Sequence, residues 1–333
     1  RTMMLWLAWF GIVFSYYGIF MWLPSIVFAQ GFAVVKTFEY VLLMTLAQLP
    51  GYFAAAYELE FSGTTLVSHT RLSGAEEIAQ ALSRAAASAH TAQPHTTRRV
   101  RFAYVAHLPK EPWFHGNSYI DTLSPVATDA FLAITHERYK TALGAAFGTS
   151  ASAIFTDEPR MYPRLQGAYR IKSAGTHEDF AVPYSPYFAD RFQKQYAMNA
   201  LDAAPYFVWE TTGSEGAQRR WQYYDALSES FVSNYMDRIA DWCHKNGIVC
   251  TGHVLGEETL IAQTDFLGDC MRCYRRMDIP GIDVLIDDRS FLAAKQVVSV
   301  STQYDKRGAV SELYDAFGAQ SVPCTWRHGS VLW

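Results

Sequence analysis

The sequence has few cysteines, little net charge and no basic stripe, and each shortage argues against a class of function. Its 333 residues include five cysteines, an odd number at irregular spacing, so a disulfide framework is a poor explanation. Cys270 and Cys273 form a CxxC pair, for which buried thiols are a better interpretation than a metal or redox site. Because the formal net charge is only -4 and Lys and Arg do not cluster, we expect no nucleic-acid partner.

Charged residues are also absent from two long stretches near the start of the chain. None stands between Arg1 and Lys36, and a second uncharged run extends from Tyr40 to Tyr57. About twenty apolar residues suffice to span a bilayer. Residues 3–57 are therefore expected to form two transmembrane helices that attach the chain to a membrane. The alternative is an unusually apolar hairpin in the core of a protein.

Beyond Arg101 the chain changes to short apolar runs that alternate with helical segments. Half of all residues are hydrophobic and 15% are aromatic, which is ample for a core. The alternation predicts parallel β-α-β units. The expected strands cover 102–106, 153–155, 248–250, 281–285 and a segment that begins at 309. These are about five strands, fewer than a closed eight-stranded barrel requires.

Two of the expected helices have clear local signals. Ser124 and Pro125 fit the N-cap and the first turn of a helix, and apolar residues continue at helical spacing as far as Gly148. The alanine-rich stretch Glu76–Ala89 is also expected to be helical, within a part of the chain that otherwise resembles a linker.

Acidic side chains and one histidine accompany the predicted strands. They are Asp121, Asp157, Glu158, His253, Glu257, Glu258, Asp283 and Glu312. Because parallel strands bring their carboxyl ends to one edge, we expect these groups to converge on a cleft although they are distant in sequence. Taken singly, each acid could equally be a helix N-cap or a solvated loop residue.

A cleft of clustered carboxylates suits a particular chemistry. Neighbouring acids raise one another's pKa values and so separate a proton donor from a base. Glycoside hydrolysis requires this division, since one carboxylic acid protonates the departing oxygen and another carboxylate attacks the anomeric carbon or activates water. Aromatic side chains can hold the apolar face of a sugar.

Several ordered segments resemble bacterial glycoside hydrolases of the α-L-rhamnosidase kind, family 106 and its relatives. The matching segments are 119–125, 131–139, 155–159, 241–243, 251–258, 279–283, 295–296 and 311–312. The resemblance implies a partial (β/α)8 TIM-type barrel that acts on plant or microbial polysaccharide side chains. Glu158 becomes the first catalytic candidate, Glu257 or Glu258 the second and Glu312 the third, with acid and base left unassigned.

The same resemblance suggests which residues line the sugar subsite. Asp157, His253 and Asp283 are expected there, and Asp121 and Trp113 are further substrate-binding candidates, although Trp113 could equally serve in packing. Some relatives bind calcium near the cleft, so calcium is a possible cofactor, but no metal ligands are assigned and no other cofactor is expected.

The beginning of the chain resembles a different family. Tyr16–Pro24 and Met44–Tyr52 are similar to two adjacent helices in the second half of a major facilitator transporter. Such transporters use about twelve helices, and two helices cannot enclose a substrate path. The resemblance therefore implies a membrane anchor rather than transport.

The sequence thus predicts four regions. These are a membrane helix pair in 1–57, a linker with a helix in 58–100, an incomplete hydrolase barrel in 101–320 and a divergent tail in 321–333. The favoured function is a membrane-associated bacterial glycoside hydrolase with a carbohydrate substrate. The alternatives are an inactive transporter fragment with a passenger domain, or a carbohydrate-binding remnant without turnover.

Overall fold

The computed structural model describes residues 53–90, 96–105, 110, 112–161, 181–284 and 291–313. The chain divides into two compact units. In the described residues, the first unit holds 53–62 and 68–105, and the second holds 63–67 and the residues from 110 onward.

The first unit is a three-stranded sheet with one helix. Its elements are β1 Phe53–Ser62, the part of β2 Thr65–Leu72 from Ser68 onward, α1 Ala75–His90 and β3 Thr96–Tyr104, and the strand order is β2-β1-β3. Strands β1 and β3 are antiparallel. Side chains along β1 alternate, so Tyr57, Leu59 and Phe61 are buried while the glutamates between them are partly exposed.

Ion pairs join the polar residues of this sheet. Glu58 lies 2.6 Å from Arg84 of α1 and 3.6 Å from Arg98 of β3, and Glu60 lies 3.5 Å from Arg98. The Arg84 guanidinium, through its hydrogen bond, lowers the pKa of Glu58 despite the opposing effect of burial. Because these pairs are largely at the surface, they fix strand partners more than they add stability.

The second unit combines a parallel sheet with helices. The strands are β4 Ala153–Thr156, β5 Val249–Gly252, β6 Ile279–Val284 and β7 Val310–Leu313. The helices are α2 Pro125–Phe131, α3 Glu137–Leu143, α4 Pro186–Tyr196, α5 Ala200–Val208, α6 Glu215–Phe231, α7 Asp237–Lys245, α8 Leu260–Phe266, α9 Cys270–Tyr274 and α10 Leu292–Gln303. Single π-helical segments, Leu132–His136 and Val232–Met236, join α2 to α3 and α6 to α7.

The parallel sheet has the order β4-β5-β6-β7, so each strand pairs with its successor in the chain. The pairs Thr156↔Gly252 and Asp283↔Glu312 lie near the carboxyl ends of their strands. The prediction of parallel strands here is confirmed for these four.

The helix predicted after Ser124 is present, but its end differs. The Ser124 side chain accepts a hydrogen bond from the Ala127 amide at 3.2 Å, and Pro125 occupies the first turn, as predicted. The helix ends at Leu143 because Gly144 adopts φ 51° and stops the α-helical path. The glycine that ends the helix is therefore Gly144, four residues before the predicted Gly148.

The predicted fold class, two membrane helices followed by a partial TIM-type barrel, is wrong. The strand predicted at 102–106 pairs antiparallel with β1 instead of joining the parallel sheet, and no closed barrel forms among the described strands. Residues 53–57, assigned to the second membrane helix, begin β1, whereas 3–52 lie outside the described residues. None of the described helices combines the length and apolar character needed to cross a bilayer.

Gly252 sits where β4 and β5 approach most closely. Its φ is 140°, and a Cβ atom added there would lie 2.1 Å from the Thr156 carbonyl oxygen. We expect Gly252→Ala to destabilise the second unit by about 3 kcal/mol, through overpacking against backbone together with a disfavoured φ. Denaturant unfolding followed by tryptophan fluorescence would measure the change.

Gly74→Ala is the matched control, because nothing lies within 4 Å of the Cβ position there. Its stability should stay within about 0.5 kcal/mol of the parent. Equal stability of the Gly252→Ala variant and the parent would contradict the packing described here.

Candidate active site

Four strand ends bring polar side chains to one edge of the parallel sheet. Asp157 and Glu158 directly follow β4, and His253 directly follows β5. Asp283 belongs to β6 and is paired in register with Glu312 of β7. The expected convergence therefore has a structural basis in the parallel register of the strands.

His253 lies at the centre of this group. The residue is 1% exposed, and its Nε2 atom is 3.1 Å from Asp157 Oδ1 and 3.1 Å from Glu312 Oε2. The ring of Phe155 packs against its imidazole at a centroid distance of 5.4 Å. No partner for Nδ1 is found in the part of the chain that the structure describes. In the tautomer with its hydrogen on Nε2, the ring can donate that hydrogen to one of the two carboxylates beside it.

Glu158 occupies a strained backbone position beside this group. Its φ of 44° lies in the left-handed region, which costs a non-glycine residue about 1 kcal/mol. Partial burial raises the pKa of Glu158, and the negative charges of Asp157 and Asp283 raise it further, while His253 and Arg160 oppose them. The carboxyl group is thus biased towards its protonated form.

The segment around Tyr119 supports the chain beyond Glu158. The Arg160 amide donates a hydrogen bond to the Tyr119 hydroxyl at 3.2 Å, and the Arg160 guanidinium lies 5.7 Å from the centre of the Tyr119 ring. The charge of Glu158 also contributes to a raised pKa of Tyr119, which burial dominates.

Asp121, a predicted substrate-binding residue, is not joined to the His253 group by any contact among the described residues. Asp121 accepts hydrogen bonds from the Leu123 amide at 3.0 Å and from the Ser185 hydroxyl at 3.4 Å, and burial raises its pKa. These contacts match the loop-capping alternative for this acid. Trp113 lies in the turn Pro112–Phe114, but its side chain is outside the described residues.

The two adjacent glutamates of the β5–α8 connection have different environments. Glu257 is 2% exposed, whereas Glu258 is exposed to solvent. Glu257 Oε2 accepts a hydrogen bond from the Tyr274 hydroxyl at 2.5 Å, and Oε1 accepts one from the Asp283 amide. Burial raises the pKa of Glu257 to about 8, and the charges of Asp283 and Glu258 act in the same direction.

Sequence reasoning missed several residues that support this site. Tyr274 of α9 and Gln263 of α8 are buried polar side chains, and Arg160 carries a charge close to Glu158. Tyr274 follows the CxxC pair, whose thiols are both buried as expected. Only the spacing of Arg160 two residues after Glu158 was a usable signal.

Calcium does not fit the described groups. Asp157, His253 and Glu312 could each offer one ligand atom, and these atoms lie within 4.8 Å of one another. Calcium takes about six to eight oxygen ligands, whereas this set supplies two carboxylates and a ring nitrogen. A ligating histidine also needs an acceptor for its second nitrogen, and His253 Nδ1 has none among the described residues.

Parts of the chain are similar to known transporters and to a solved rhamnosidase structure. No protein-family model matches the chain. A segment is 67% identical over 63 residues to the niacin transporter NiaP of Acinetobacter baylyi, covering 19% of this chain and 14% of that protein. The putative niacin/nicotinamide transporter NiaP of Bacillus subtilis is 61% identical over 62 residues, covering 19% and 16%. The chain thus spans less than a fifth of these curated relatives.

Among solved structures, a rhamnosidase from Novosphingobium sp. PP1Y aligns with a TM-score of 0.48 and 18% identity. The alignment covers 75% of this chain and 23% of that structure. The resemblance of one segment to transporters is therefore confirmed. The resemblance to glycosidases stays a prediction from the sequence motifs.

Glu257 should make the stability of the fold depend on pH. Its folded-state pKa of about 8 lies above the ordinary value of 4.5, so the folded chain holds a proton that the unfolded chain has released. Stability should therefore fall as pH rises between these values, by up to about 1.4 kcal/mol per pH unit from this group. Glu257→Gln, which cannot ionise, should lose this contribution.

Denaturant unfolding of the parent and of Glu257→Gln at several pH values would measure the effect. The stability of the variant relative to the parent should rise between pH 5 and pH 8. A difference that stays constant over this range would contradict the raised pKa.

Proposed function

We propose that this chain hydrolyses O-glycosidic bonds with paired carboxylates, and that its substrates are α-L-rhamnosides or related polysaccharide side chains. The observation that supports the proposal is the group formed by Asp157, Glu158, His253, Asp283 and Glu312 at one edge of the parallel sheet. Glycoside hydrolysis requires a proton donor and a second carboxylate close together, and in this group Glu158 has a raised pKa beside further carboxylates.

Glu158 is the proposed proton donor. A general acid must keep its proton near neutral pH, and both burial and the neighbouring charges raise the pKa of Glu158. Its backbone adopts φ 44° directly before Pro159, which sets the direction in which the side chain leaves the chain.

Glu312 is the proposed partner carboxylate. Its side chain is 46% exposed and lies 3.1 Å from His253 Nε2, so it is both open to a sugar and held in place. A carboxylate in this position can attack the anomeric carbon or activate water. Asp157, whose side chain is 72% exposed and lies 3.1 Å from the same Nε2 atom, is proposed to bind sugar hydroxyls.

Glu258, Glu257 and Asp283 differ in whether a sugar could reach them and in how they affect the other carboxylates. Glu258 is exposed and stays a possible alternative to Glu312, whereas both oxygens of Glu257 already accept protein hydrogen bonds. Asp283 is half-buried, and its charge raises the pKa of both Glu158 and Glu257.

A segment similar to niacin transporters supports attachment of the chain to a bilayer. We propose membrane association, because this segment is 67% and 61% identical to segments of two membrane transporters. Fractionation of expressing bacteria tests this: recovery of the chain with the membranes supports it, and recovery in the high-speed supernatant contradicts it.

The roles of the two glutamates can be separated by the leaving group. The methoxy group of a methyl α-L-rhamnoside must be protonated as it departs. The dinitrophenolate group of a dinitrophenyl α-L-rhamnoside can depart without a proton. Glu158→Gln should lower kcat/KM at least about 100-fold on the first substrate and only slightly on the second. Glu312→Gln should lower it by a similar factor on both substrates.

Glu76→Gln is the matched control, since Glu76 is an exposed glutamate in the first turn of α1. It should retain the parent's activity. Full activity of Glu158→Gln on the methyl glycoside would refute its role. Sugar binding without any turnover by the parent would instead favour the carbohydrate-binding alternative.

A further inference from the structure

We propose that Glu257 is a positioning residue, whose carboxyl group holds the carboxyl end of β6 so that Asp283 faces the sugar subsite. This inference rests on the proposed function, and it assigns to Glu257 a role other than proton transfer to substrate.

The contacts of Glu257 support this assignment. Its Oε1 atom accepts a hydrogen bond from the Asp283 backbone amide, and its Oε2 atom accepts one from the Tyr274 hydroxyl at 2.5 Å. With 2% of the residue exposed, a sugar has no access to either oxygen. A buried acceptor of this kind determines the position of the groups that donate to it.

The backbone of Glu257 is also fixed. The Gln263 amide group donates to the Glu257 carbonyl oxygen at 2.8 Å and to Gln296 Oε1 at 2.7 Å, and Gln296 donates back to Gln263 Oε1 at 3.0 Å. This reciprocal amide pair ties α8 to α10 beneath the β5–α8 connection. Glu257 therefore acts from a rigid base, as a positioning residue must.

The effect on the site passes through Asp283. Asp283 is paired with Glu312 in the parallel register, and its charge acts on Glu158. A shift of this strand end would change the distances among all three carboxylates. Misplacement of about 1 Å costs catalysis on the order of 100-fold.

The groups that face Glu257 come from three elements. Tyr274 belongs to α9 and Asp283 to β6, while Glu258 is its neighbour on the same loop. Cys270 of α9 also faces it, because the charge of Glu257 contributes to a raised pKa of that thiol. None of these groups carries a positive charge. The hydrogen bonds that the Glu257 carboxyl group accepts from Tyr274 and Asp283 therefore do not depend on a cationic partner.

The decisive comparison uses Glu257→Gln and Glu257→Leu. The amide oxygen of glutamine can still accept from the Asp283 amide, whereas leucine cannot accept at all. We expect kcat on the methyl α-L-rhamnoside to fall no more than about threefold in the glutamine variant and at least about 30-fold in the leucine variant. Equal large losses in both would show that Glu257 transfers protons, and full activity of the leucine variant would also overturn the proposal.

One further variant and one measurement of backbone exchange also test the positioning role of Glu257. Tyr274→Phe removes one donor without a new charge and should lower kcat by about three- to tenfold with KM nearly unchanged; parental activity in this variant would contradict the role of the pair. Deuterium exchange of peptides that span Ile279–Val284 should be protected in the parent and in Glu257→Gln, and faster in Glu257→Leu.

The exchange measurement also separates the two proposals. If the parent hydrolyses no glycoside, the proposed function fails, yet slow exchange of β6 that depends on the residue at 257 would still support positioning. Exchange that is unaffected by Glu257→Leu would overturn the positioning role, whatever the activity.

Discussion

The close approach of β4 and β5 at Gly252 is the constraint on which the candidate site depends. A side chain at this residue would collide with the Thr156 carbonyl oxygen, so only glycine allows the two strand ends to pair in this register. The next residue on each strand is then Asp157 or His253, and these two side chains meet at 3.1 Å. The meeting of Asp157 and His253 is thus a consequence of backbone packing between β4 and β5.

Gathering acids at one edge has an electrostatic cost, and the structure offsets it in three ways. His253 offers one hydrogen to two carboxylates, Glu158 has a raised pKa, and Glu257 is buried with donors on both oxygens. Like-charged carboxylates that cannot all ionise separate into acids and bases, which is the property that hydrolysis requires. The same arrangement would suit the hydrolysis proposed above.

The extent to which the sequence predicts this protein differs between its parts. The strands β4 to β7 were predictable because each is a short apolar run followed by a polar residue, and their parallel order follows from the intervening helices. Strand β1 was missed although Tyr57, Leu59 and Phe61 alternate with glutamates, because the uncharged run before it suggested a membrane helix. Its antiparallel pairing with β3 depends on long-range contacts that no local pattern specifies. At the site, the residue types were predictable, but which of two adjacent glutamates is buried depends on Tyr274 and Asp283, both distant in sequence.

The parallel register of β4 to β7 brings acids from distant segments together at one edge of the sheet. A crystal structure of the full chain at neutral pH tests it most directly. The account predicts that carboxylate oxygens of Asp157 and Glu312 both lie within hydrogen-bonding distance of His253 Nε2, with Glu158 bordering the same cleft. Separation of these three acids onto different surfaces of the protein would contradict it.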